Sequence, residues 1–342
     1  ETVNNLFLKN MWGDGLPLLP PTEERVKWIL TGTDLSPVTV VGEGGGKVLP
    51  KGGIATVETI AVSLALAGGR PEYMPVLIAA VEAMLKPPLR HQHWQPTTAS
   101  TQPIVIVNGP IGKQIRLNSG YGCLGPDPVH PAGATIGRAL RLIQMNLGGA
   151  LPGTGTMAIH GGPNRYTNLV LAEDEDGIPK GWKPLSVERG YAPGKNVVTV
   201  HAVEGEVNVP GGSATTEDVA LSTLNTLAGY IGVPSGRYWS YGIQPDYPVG
   251  IVLLARGTAG GLADLGWSKQ KVQEYLYENT RMPWSRVQNR DKAQIAEFIK
   301  NSKGRAVEGQ PWPITVDPKN IMIVVAGGAQ SGHMYWIQGG NG

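Results

Sequence analysis

Three apolar runs, Ile104-Val105-Ile106-Val107, Gly250-Ile-Val-Leu-Leu254 and Ile321-Met-Ile-Val-Val325, each give way to a glycine-containing loop. A strand with one wet face alternates apolar and polar residues, so short uninterrupted runs predict strands buried on both faces. Such strands need helices above and below, which points to an α/β fold with mostly parallel sheets and flanking helices. Helical patterns stand where this fold requires them. Thr22 caps a helix ending near Leu30, Thr56 caps one ending before Gly68-Gly69, and residues 75–85 form another that stops at Pro87-Pro88. After the first run, Ala134, Ile136, Ala139, Leu140, Ile143 and Leu147 recur at helical spacing. Arg138 and Arg141 lie off that stripe, and Gly148-Gly149 closes the helix. Residues 167–172 and 196–203 read as further strands, 268–276 and 292–300 as helices.

Ala214-Thr-Thr-Glu217 repeats the helix opening seen at Ala55-Thr-Val-Glu58, so two lobes from a diverged internal duplication are expected. Their spans are 1–203 and 204–342, with a Gly-Gly loop around 204–213 between them and an incomplete unit at the end of the smaller lobe. The stretch from Ser331 onward carries no helix to cover the last strand. The expectation is that a partner chain or further polypeptide completes this edge; a disordered tail is the alternative.

Gly (48) and Pro (28) are abundant, yet 41% of the chain is apolar, which argues for tight turns in a packed protein and against disorder. Charged residues make up only 16%, which fits a surface partly covered in a homo- or hetero-oligomer. The net charge of +2, without any lysine or arginine run, gives no nucleic-acid footprint. The single cysteine rules out an intrachain disulfide, and no apolar stretch is long enough to span a bilayer. A soluble, cytoplasmic protein acting on a small molecule is the expectation.

The polar, glycine-studded loop after the first strand, Arg116-Leu-Asn-Ser-Gly-Tyr-Gly-Cys-Leu-Gly-Pro126, is the expected ligand-binding element, within a cleft formed by residues 91–133. Cys123 is a candidate nucleophile if Arg116 or a helix N-terminus lowers its pKa; a small buried hydrophobe is the alternative. Glu58 and Lys113 are further catalytic candidates. Arg70, Thr97, Thr98, Asn108, Asn118, Ser119 and Arg138 are candidate substrate binders, offering hydroxyls, amides and cations for a carboxylate or phosphate. In Arg90-His-Gln-His-Trp94, His91 and His93 would face one side of a strand and hold a divalent metal, Zn²⁺ or Fe. The third ligand would come from elsewhere, His130 among the options. Neither a P-loop nor a G-x-G-x-x-G fingerprint is present, so no nucleotide cofactor is indicated and the cofactor stays open.

Several segments together carry a resemblance. They are Trp12-Gly-Asp-Gly-Leu-Pro-Leu-Leu-Pro-Pro-Thr22, Ala67-Gly-Gly-Arg-Pro-Glu-Tyr-Met-Pro-Val76, Ile104-Val-Ile-Val-Asn-Gly-Pro110, Ala134-Thr-Ile-Gly-Arg138, Val187-Glu-Arg-Gly-Tyr191, Gly266-Trp-Ser-Lys269 and Val325-Ala-Gly-Gly328. In this combination the chain resembles a bacterial family associated with UGSC-motif (seleno)proteins, often loosely labelled thiol-disulfide isomerase or thioredoxin. The resemblance implies thiol- or selenol-linked redox or nucleophilic chemistry from a selenocysteine or cysteine pair on a partner or appended domain. This chain has no Cys-x-x-Cys or equivalent, so the reactive pair would sit elsewhere, and the family pattern usually lacks a cysteine at the position of Cys123. The functional expectation is an enzyme, or a subunit of a catalytic complex, acting on a small polar or anionic molecule by redox or lyase chemistry. A metal-dependent hydrolase or hydratase using His91 and His93, and a non-catalytic scaffold for a redox partner, are the alternatives.

Overall fold

The apolar runs form the strands their composition predicts, and every residue of the three main ones is buried. The computed structural model describes residues 2–165, 167–232 and 242–340. These divide into two compact units. The first comprises residues 1–172 and 192–202; the second comprises 173–191 and 203–341.

In the first unit the helices are α1 (Thr2–Lys9), α2 (Glu23–Leu30), α3 (Val57–Leu66), α4 (Met74–Met84), α5 (His91–Trp94), α6 (Ile111–Gln114) and α7 (Ala132–Asn146). A two-residue ribbon pairs β1 (Lys47–Val48) with β2 (Gly53–Ile54), and β3 (Gln102–Asn108) runs parallel to β4 (Leu169–Ala172). Helix α3 starts because Thr56 accepts from the Thr59 amide while Thr59 accepts from the Thr56 amide, satisfying two otherwise orphaned donors. Its buried face, with Ile60, Leu64 and Ala65, joins Leu77 and Val81 of α4 and Ile136, Leu140 and Ile143 of α7 in one core over Val105 and Val107. Each large aliphatic side chain so buried contributes about 1.5–3 kcal/mol. Helix α7 lies very close to the segment before β4. A Cβ at Gly137 would sit 1.9 Å from the Asn168 carbonyl oxygen, so only glycine permits this approach.

Strand β5 (Val197–Pro210) contributes residues to both units, with a register shift between Val203 and Gly205. The second unit adds α8 (Leu185–Glu188), α9 (Glu217–Gly232), β6 (Gly250–Leu254), α10 (Arg256–Asp264), α11 (Lys269–Asn279), α12 (Lys292–Asn301), β7 (Ile321–Val325) and β8 (His333–Gly339). Its core gathers Leu224 and Leu227 of α9, Val272 and Leu276 of α11 and Phe298 of α12 with Trp312 and the inner residues of β6 and β7.

The hydrogen-bonded strand order is β4-β3-β5-β8-β6-β7. Strands β6 and β7 are parallel, but β8 lies between β5 and β6 and is antiparallel to both. The sheet is therefore mixed, which corrects the expectation of mostly parallel pairing. Two local readings are overturned with it. The stretch at 204–210, expected as loop, continues β5. The segment after Ser331, expected to be an uncovered edge or a loose tail, supplies an interior strand; its last two residues lie outside the described residues. The alternation Met334-Tyr335-Trp336, buried at Met334 and Trp336, is the period-two signal that marks it.

Candidate acid–base site on the glycine-rich loop

Strand β3 divides the expected cleft. Residues 91–101 precede it and residues 109–131 follow it, and its seven residues span roughly 20 Å. The loop 117–131 lies at the carboxyl end of the parallel pair: the Asn118 carbonyl accepts from the Ala172 amide at 3.0 Å, at the last residue of β4. Loops at the carboxyl ends of parallel strands are where open α/β sheets bind ligands. The chain can turn into this loop because Gly109 adopts φ 89°, where an added Cβ would meet the Lys195 carbonyl oxygen at 2.5 Å.

Asn118 organises the loop. Its side-chain oxygen accepts from the Gly120 amide (2.8 Å), and its Nδ2 donates to the Tyr121 carbonyl (2.9 Å) and to Asp127 Oδ2 (3.3 Å). Asp127 Oδ1 accepts from the Val129 amide at 2.8 Å, and Oδ2 meets His130 Nδ1 in a short, close contact. The carboxylate is thus held from three sides, and the His130 and Val129 hydrogen bonds keep it below the usual aspartate range. A carboxylate on Nδ1 selects the tautomer that carries its proton there and leaves Nε2 as the basic nitrogen. The His130 side chain is 38% exposed, and no described residue bonds its Nε2.

Cys123 lies on the same loop but is buried, and burial pushes its thiol up to about 11. The expected activation runs the other way: no cation or helix end offsets the desolvation, so the group is a neutral thiol at neutral pH. Ser119 is half-buried nearby, and Lys113 is exposed on α6. Asn108 is buried at the end of β3.

The remaining candidates are dispersed. Glu58 is exposed in the first turn of α3. Arg70 is exposed and bonds Glu72 at 2.6 Å. Arg138 forms a two-pronged pair with Asp14, at 2.8 and 3.0 Å, and also donates to the Pro17 carbonyl, so it ties the 12–21 stretch to α7 and is not a free ligand clamp. Thr97 is buried and bonds the Ala99 amide, and the Thr98 carbonyl accepts from Ile159. His91 and His93 occupy helix α5, not a strand, so residues two apart do not share a face. His91 Nε2 accepts from the Leu49 amide at 3.3 Å, burial lowers its pKa, and His93 is exposed. Among the described residues no group of three or more His, Cys, Asp or Glu side chains is placed to hold a metal ion. The structure therefore corrects the expected H-x-H metal geometry. No described helix is long and apolar enough to cross a membrane.

The sequence reading missed Asp127, and met His130 only as an optional metal ligand. The pair stands three residues apart in Gly125-Pro-Asp-Pro-Val-His-Pro131, a spacing that a proline-braced turn closes into contact. Compared with known protein families, with curated proteins and with solved structures, the chain shows no match.

Proposed function

We propose that the chain is an enzyme that moves a proton on a small polar or anionic molecule bound over the loop 117–131. The chemistry is of lyase or isomerase type, with His130 as general base and Asp127 as the residue that orients it. The observation that carries this reading is the contact of His130 Nδ1 with an Asp127 carboxylate that Asn118 and the Val129 amide already hold in place. A base whose second nitrogen is fixed by a third group is the arrangement by which proton-transfer sites keep Nε2 aimed outward. Thiol or selenol chemistry contributed by another polypeptide would use the same base to take the nucleophile's proton.

The test is solvent exchange. The protein is incubated in D₂O with a panel of 2-oxo acids, hydroxy acids and dicarboxylates, and loss of C–H signal is followed by proton NMR. Exchange is expected for one class of compound, slowed about 10²- to 10⁴-fold in His130→Ala and also reduced in Asp127→Asn. Cys123→Ala should leave it unchanged. Exchange that survives in folded His130→Ala, or vanishes in folded Cys123→Ala, rejects the assignment.

A further inference from the structure

At the other end of β3 the first unit buries positive charge without neutralising it. Arg141 on α7 is 4% exposed and Arg165 is 7% exposed, and neither makes an ion pair with a carboxylate among the described residues. Arg141 donates to the Ala150 carbonyl (3.0 Å) and to Gln144 Oε1 (3.5 Å). Arg165 donates to the Thr101 carbonyl (2.8 Å), directly before β3, and to Thr156 Oγ1 (3.1 Å). Both guanidiniums bond the turn 150–156, and they lie close enough to repel each other. The neighbouring carboxylate, Asp14, has both oxygens engaged by Arg138. Among the described residues, three guanidiniums against one carboxylate leave two positive charges. Desolvation brings Arg141 and Arg165 down to about 10, still cationic at neutral pH.

The unused hydrogen-bonding capacity here is mostly donor, with Gln102 Oε1 at the start of β3 as the one buried acceptor at this end without a partner among the described residues. Arg141 Nε, Arg165 Nε and Gln95 Nε2 are buried donors with no acceptor. Gln95 is 1% exposed and belongs to the same neighbourhood: the Pro96 carbonyl beside it accepts from the Met157 amide, next to Thr156. If these arginines only braced carbonyls, neutral donors would serve, since an uncompensated buried charge is costly and each orphaned donor adds to the cost. A guanidinium pair with spare Nε–H groups instead matches an oxyanion, which supplies both acceptors and charge.

We infer that Arg141, Arg165 and Gln95 form a binding site for a small dianionic oxyanion of phosphate type at the amino end of β3. It is separate from the His130 loop and does not depend on that reading. Its charge balances the two guanidiniums, and its oxygens accept from the three orphaned donors.

The test uses the full chain in a chloride-free buffer, with inorganic phosphate titrated by calorimetry and thermal unfolding followed in parallel. Phosphate should bind saturably at one per chain and raise the unfolding temperature, while a chloride salt at equal ionic strength should not. Arg165→Met and Arg141→Met should weaken binding at least about tenfold. Gln95→Leu, which keeps the charge and tests the third donor in a chain whose fold is least disturbed, should weaken it several-fold. His130→Ala should bind phosphate as wild type does, so failure of one proposal is visible apart from failure of the other. An equal response to chloride, or undiminished phosphate binding in folded Arg165→Met and Gln95→Leu, overturns the assignment.

Discussion

Lys269 in the second unit and Arg165 in the first are buried to nearly the same degree, 4% and 7% exposed, but their surroundings differ. The Lys269 ammonium donates to the Lys183 carbonyl at 2.9 Å and to Glu188 at 3.0 Å, with the fully buried Glu173 carboxylate 3.9 Å away. Glu173 also accepts from the Leu185 amide at 2.7 Å, so charge and hydrogen bonds close within one cluster that fastens 173–188 to α11. Among the described residues Arg165 meets only a carbonyl and a hydroxyl. A closed cluster is sufficient for structure, whereas an open one with surplus charge is a place for something else to bind. The contrast separates two kinds of buried cation that look alike by exposure alone.

The comparison is tested hardest by Lys269→Met. Removing the cation takes away the ammonium that Glu173 and Glu188 share, and the expected loss is about 3–5 kcal/mol in urea unfolding. Cys123 gives the next largest effect, and it is pH-dependent. Its thiol ionises near 11 in the folded protein and at its ordinary, lower pKa when unfolded, so the neutral thiol's stability is intact below about pH 8.5. It is lost as pH rises toward 11, by up to roughly 3 kcal/mol relative to Cys123→Ala measured over the same range. In agreement, iodoacetamide at pH 8 should label the folded protein roughly a hundredfold more slowly than the urea-unfolded chain.

Arg165→Met should cost much less than Lys269→Met in phosphate-free buffer, within about 1–2 kcal/mol of wild type. Loss of its hydrogen bonds is offset by removal of an uncompensated charge. If Arg165→Met proves the more damaging of the two, the distinction between closed and open clusters fails. The smallest effect belongs to the half-buried Asp127–His130 pair. Because Asp127 ionises below its usual range, its contribution is present above about pH 3.9 and fades as pH falls through the folded value. His130→Ala should return Asp127 toward the ordinary range, read by carbon NMR of its carboxyl group.

Much of this fold was legible because burial on both faces, helix caps and glycine stops are local properties. The runs at 104–107, 250–254 and 321–325, the Thr56 cap and the α7 stripe all lie where those signals place them. Strand β8 was not legible as an interior strand, since Met334, Tyr335 and Trp336 show only that a strand can form. Its pairing partners, β5 and β6, are distant in sequence. The site divides in the same way. The loop 116–126 and its residue Asn118 stood out by composition, but the H-x-H pair was misread because a four-residue helix and a strand cannot be told apart at that length. That Arg138 is paired with Asp14 while Arg141, three residues on, is not cannot be read from either arginine's neighbours.

By itself the amino-acid sequence determined the buried α/β core, the helix starts and the glycine-rich loop, because each depends on residues a few positions apart. Tertiary structure alone decided strand order and direction, the coupling of His130 to a carboxylate that Asn118 holds, and which buried cations have counter-charges. Strand pairing and counter-charges depend on residues far apart in the chain, whereas the Asn118–Asp127–His130 contacts are local and depend on the path of a loop that no helical or strand period describes.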